Sequence, residues 1–127
     1  MALVNGIGTK TKVVSDMLKS MDIVKEITDI SLSYADEEFD EFVLEIEVNY
    51  DEKYISQDCF QLRNNQATEI RIPGKDGHDI MMLSFQLHEA MKEHTGGDLK
   101  KYVIRIDETG KAMANFEYHD PQPENTD

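Results

Sequence analysis

The sequence predicts a single α+β domain in which an antiparallel sheet packs one face against two helices. Three observations carry that prediction. Apolar residues recur at helical spacing in two separate stretches, Val14, Met17, Leu18, Met21 and Val24, then Ile80, Leu83, Leu87 and Met91. Between and after them the period changes to two, most cleanly from Phe42 to Tyr50. The chain has 127 residues, enough for one hydrophobic core and too few for two ordinary ones.

The elements follow in order. Met1 to Thr11 contains Gly6 and Gly8 and reads as a frayed lead-in, with the first helix starting near Lys12. Thr11 or Thr9 could cap it, because a hydroxyl accepts a free N–H of the first turn. Ile30, Leu32 and Tyr34 then alternate with Ser31 and Ser33, a first strand, and Ala35 to Glu38 makes a polar turn. Phe42, Leu44, Ile46, Val48 and Tyr50 alternate with Glu41, Val43, Glu45, Glu47 and Asn49, which predicts a strand with one apolar and one wet face. Cys59–Arg63 and Thr68–Ile72 read as shorter strands around Asn64-Asn65-Gln66, a tight turn because Asn tolerates positive φ. Gly74 to Gly77 reads as a loop, and Asp79–His94 as a helix with Ile80, Leu83, Ser84, Leu87 and Met91 buried, stopped by Gly96-Gly97. A hairpin closes the domain, Tyr102 to Ile106 and Ala112 to Tyr118 about the turn Asp107-Glu108-Thr109-Gly110. The order expected is therefore helix, four strands, helix, two strands over residues 1–120, with 121–127 a disordered acidic tail.

Charge is the strongest functional signal. Lys plus Arg total 13 against 26 Asp plus Glu, a formal charge of −13. Much of the excess lies in one block, Asp36, Glu37, Glu38, Asp40, Glu41, Glu45, Glu47, Asp51, Glu52 and Asp58, threaded through apolar strand residues. A dense negative surface on a folded scaffold repels nucleic acid and acidic membranes and attracts a basic protein. No run of apolar residues approaches a membrane span. One cysteine excludes an internal disulfide, and the first residues lack a basic, then apolar leader, so a cytoplasmic protein is expected.

Catalytic and metal-binding patterns do not assemble. Cys59 sits in a strand with no histidine tied to it locally, and reads as a small buried apolar residue. His88 and His94 are six positions apart, which at roughly 100° per residue turns them to different faces of the helix. Zinc would ask for a spacing of four. Glu41, Glu45 and Glu47 share a wet face, where all would be ionised, whereas acid–base catalysis needs one carboxyl held neutral. Gly74-Lys75-Asp76-Gly77 lacks the Lys-Ser/Thr of a phosphate loop. No cofactor is implied.

The last third of the chain resembles the YezG-like family of bacterial immunity proteins. The resemblance runs from Asp79 to Asp120: an amphipathic helix over Met82 to Glu93, a Gly-rich break, a strand Lys101 to Asp107, the turn Glu108-Thr109-Gly110-Lys111, and the closing run Asn115-Phe116-Glu117-Tyr118-His119-Asp120. It implies an antitoxin, a small cytoplasmic protein that neutralises a toxin domain, often a nuclease, in contact-dependent or polymorphic toxin systems. Nucleases are commonly basic, so the charge reading points the same way. The expected interface comprises Glu37, Glu38, Asp40, Glu41, Glu45, Glu47, Asp51 and Glu52, with Tyr50 or Tyr54 as aromatic anchor. The alternatives are an adaptor or regulatory subunit of a cytoplasmic complex, and a small-molecule-binding domain with its pocket between helix and sheet.

Overall fold

A computed structural model describes residues 8–36 and 38–119, with side chains from residue 19 onward. Two helices and five strands follow one another as α1 (Gly8–Leu32), β1 (Glu41–Asn49), β2 (Tyr54–Arg63), β3 (Gln66–Glu69), α2 (Gly74–Thr95), β4 (Leu99–Asp107) and β5 (Ala112–Tyr118). The strands form one antiparallel sheet in the order β3-β2-β1-β4-β5. This is the α+β architecture that the sequence predicts.

β1 lies at the centre because it is the most apolar strand, and its alternation sets the layers. Phe42, Leu44, Ile46 and Val48 are buried on the helix side, level with Ile106, Ile104 and Tyr102 of β4 and with Cys59 of β2. α2 lies against β1, β2 and β4 and is in turn covered by α1. Its buried stripe is Ile80, Leu83, Ser84, Leu87 and Met91, as the spacing predicts, with His88 and Ala90 added. Ile23 and Ile27 of α1 complete the same cluster. Tyr102 is fully buried, and its hydroxyl is satisfied by Ser84 Oγ at 2.7 Å. Gly96 ends α2 in the left-handed region (φ 80°), its N–H donating to Lys92 C=O at 2.8 Å. The two hairpin turns also match expectation: Asn64 and Asn65 both have positive φ (53° and 65°), and Gly110 (φ 91°) closes the turn between β4 and β5.

Several boundaries differ. Ile30 to Tyr34 is no strand; Ile30–Leu32 is the last turn of α1, so three strands rather than four precede α2. The buried positions Ile23, Ile27 and Ser31 recur every four residues, and the Thr28 and Ser31 hydroxyls donate to the carbonyls of Val24 and Ile27, four residues back. Burying those two hydroxyls therefore leaves no donor open, and the alternation of Ile30, Leu32 and Tyr34 is incidental. α1 already begins at Gly8, which places Thr9 and Thr11 inside it rather than at its cap. Met21, expected in the core, is 60% exposed. β2 extends back to Tyr54, so Cys59 lies mid-strand, and β3 runs over Gln66–Glu69, earlier than Thr68–Ile72. Gly74 to Gly77 is the first turn of α2, not a loop, with Pro73 at the N-cap. The tail over 121–127 lies outside the described residues.

Candidate functional site

No element covers the second face of the sheet among the described residues, and the strand registers say which side chains meet there. Across the sheet lie Glu69 and Ala67 of β3, Phe60 and Leu62 of β2, Glu41, Val43, Glu45 and Glu47 of β1, Lys101, Val103 and Arg105 of β4, and Met113 and Glu117 of β5. Asp58 stands level with Glu45. Val43 is fully buried even here, flanked by Phe60 and Arg105. Two carboxylates have cations nearby, Glu41 with Arg105 at 3.4 Å and Glu45 with Lys101 at 3.9 Å. Glu47, Asp58, Glu69 and Glu117 have no ion-pair partner among the described residues. The face is thus an apolar band, Leu62, Phe60, Val43, Val103 and Met113, set in an excess of carboxylate.

The acids singled out from sequence are spread along β1 rather than gathered. Glu41, Glu45 and Glu47 share the open face, and Tyr54, 50% exposed, stands at its end opposite Asn49. Glu38 pairs with Arg63 at 3.1 Å, and Asp40 accepts the Asn64 N–H at 2.9 Å; both line a recess of about 410 Å³ beyond the start of β1. Asp51 and Glu52 sit in the turn at the far end, roughly 30 Å away at about 3.4 Å per strand residue. Glu37 lies outside the described residues. Tyr50 does not join the acids of the open face as an aromatic anchor: it lies on the helix side, where its alternation with Phe42, Leu44, Ile46 and Val48 puts it.

There Tyr50 helps to build a cleft of about 860 Å³ between the end of β1, the C-terminal half of α2 and the Gly96–Asp98 connection. The Tyr50 ring stacks on His88, with centroids 4.1 Å apart and planes 13° apart. Phe85 meets it edge-on at 6.0 Å, and Lys53 Nζ lies 3.4 Å from the ring centre, hence on the face opposite His88. The Tyr50 hydroxyl donates to the Glu89 carboxylate, which raises the phenol's pKa. His88 is buried, its Nε2 is 3.8 Å from Asp98 Oδ1, and its Nδ1 has no partner. Burial lowers the His88 pKa, with Asp98 opposing in part, so the imidazole is neutral at pH 7. Asp98 accepts from Lys92 at 2.9 Å, which holds its carboxyl below the usual range. His119 also lines the cleft. The sequence did carry a signal for His88: it falls on the buried stripe of α2, four residues after Ser84.

Chemically the cleft is a wall of hydrogen-bonding groups, carboxylates, imidazoles, a phenol and an ammonium, with no Ser, Thr or Cys among its lining residues. Cys59 is not among its lining residues, and burial pushes the thiol up to about 12, far from a thiolate at neutral pH. Among the described residues, no three His, Cys, Asp or Glu side chains are grouped to hold a metal ion. No helix among them is long and apolar enough to cross a membrane. The chain matches no protein-family model and no curated protein.

Proposed function

We propose that this chain is an immunity protein: it binds a basic toxin domain, such as a nuclease, in the cytoplasm and neutralises it stoichiometrically, without catalysis. The observation that carries the proposal is the open sheet face, where carboxylates outnumber cations around an apolar band. Such a face attracts a basic protein and repels the nucleic acid with which it would compete. Val43, Phe60, Leu62, Val103 and Met113 supply contact area that a purely acidic surface lacks. Relative to the residues chosen from sequence, the interface centres on Glu41, Glu45 and Glu47, with Tyr54 rather than Tyr50 as its aromatic anchor. The resemblance of residues 79–120 to YezG-like immunity proteins supports the same reading.

A low-salt pull-down with the tagged chain, followed by mass spectrometry, should return a basic domain at one-to-one stoichiometry. The double substitution Glu45→Lys/Glu47→Lys should then slow association by roughly tenfold and flatten its salt dependence, while changing dissociation little. Unchanged association kinetics in stopped flow would remove the open face from the interface.

The cleft supports a second reading, a small-molecule-binding domain, because buried His88 presents an unpartnered ring nitrogen beside it. A fragment screen by NMR distinguishes the two: saturable shifts at His88 and Tyr50 support a ligand site, and their absence leaves the inhibitor reading alone.

A further inference from the structure

We infer that the free edge of β5 pairs antiparallel with β5 of a second copy of this chain, centred on Asn115. The two edges of the sheet are unlike. β3 is short, four residues, which leaves little edge for another strand to pair with. β5 has seven residues, no proline, and a single charge, Glu117; its register with β4 is straight from Ala112 to Glu117, and the one irregularity, an extra β4 residue between Leu99 and Lys101, falls opposite Glu117 and Tyr118.

Backbone alternation says which groups it offers. Asp107 N–H donates to Lys111 C=O at 3.0 Å, so by the two-residue repeat Met113, Asn115 and Glu117 bond to β4. The N–H and C=O groups of Ala112, Ala114, Phe116 and Tyr118 then point away from the sheet. A second β5 can bond to these only in registers that set outward residues against outward residues, and the register centred on Asn115 pairs the whole strand. It sets Ala112 against Tyr118, Ala114 against Phe116, Met113 against Glu117, and Asn115 against its own copy. Small residues meet large ones on the helix side, no like charges face each other, and the two Asn115 amides can bond across the axis. Met113, 60% exposed, lies over the new seam. The axis is perpendicular to the sheet, so both acidic open faces point the same way and merge into one.

The test is sedimentation of the full chain from micromolar to submillimolar concentration in moderate salt, which should reveal a monomer–dimer equilibrium. Asn115→Asp and Asn115→Lys each set two like charges against one another at the axis, and each should raise the dimer Kd by about fivefold or more. Asn115 is exposed, and circular dichroism checks that both variants stay folded. A wild-type chain monomeric throughout overturns the inference. So does a dimer that Asn115→Lys tightens and Asn115→Asp weakens, which would reflect net charge alone, and so does a dimer indifferent to both. The toxin-binding proposal is tested separately, by the association kinetics of Glu45→Lys/Glu47→Lys on β1, so a failed dimer leaves it standing although Met113, Asn115 and Glu117 of β5 border the same face.

Discussion

The charge state of His88 follows from where it sits rather than from what it is. Its pKa is lowered in the folded chain, so between that value and about 6.5 the unfolded chain binds more protons than the native one. The stabilisation from keeping His88 neutral is whole above about pH 6.5 and is lost as pH falls through the folded value. Urea midpoints should therefore drop between about pH 7.5 and 5.5, and the His88→Gln variant should lose most of that slope. Asp98 and Asp107 are also held low, by Lys92 and by the Thr109 hydroxyl with the Lys111 N–H, but their contributions fade only at more acidic pH. A second asymmetry lies deeper. Ser84→Ala leaves the Tyr102 hydroxyl buried without a partner, at a cost of about 1–3 kcal/mol. Tyr102→Phe leaves Ser84 still donating to Ile80 C=O at 2.8 Å, and should cost less than Ser84→Ala in the same denaturation assay.

At the scale of elements, β1 departs informatively from plain alternation. Val43 belongs to the wet face and is nonetheless fully buried, because neighbours on β2 and β4 close over it. Val43→Ala should destabilise by about 1–3 kcal/mol in urea, whereas Glu45→Ala, two residues on, should stay within about 0.5 kcal/mol. Which elements were legible in the sequence has a physical pattern. β1, α2, and the turns at Asn64-Asn65 and Gly110 were readable, because each is fixed by local periodicity or by a residue that tolerates positive φ. Ile30 to Tyr34 was not, since a stretch of Ile, Ser and Leu satisfies a period of two and a period of 3.6 alike, and only packing on α2 chooses. The candidate site divides the same way. Glu41, Glu45 and Glu47 sharing one face follows from the strand period, but Phe60, Leu62, Val103 and Met113 join them only through strand register. The cleft joins Tyr50 to His88, which are distant in sequence, and no local pattern announces such a pair.

For the molecule as a whole, a charge of −13 on one small domain means self-repulsion that counter-ions relieve. The melting temperature should rise as sodium chloride is added from low ionic strength; a fall would mean that the surface pairs, Glu41–Arg105 and Glu45–Lys101 among them, outweigh the repulsion. The strand order has a consequence for how the chain comes to be folded. β1 to β3 form a meander from neighbouring segments, yet one side of β1 waits for β4, whose Arg105 pairs with Val43 across more than sixty intervening positions. During synthesis at about 5–20 residues per second, the most apolar strand therefore stays unpaired along one edge until α2 and the final hairpin have emerged. Until then Phe42, Leu44 and Ile46 belong to an open ladder, the kind that recruits strands from other chains. A nascent chain stopped before Leu99 is thus the form most exposed to aggregation, and release of the last hairpin is the step that ends the hazard.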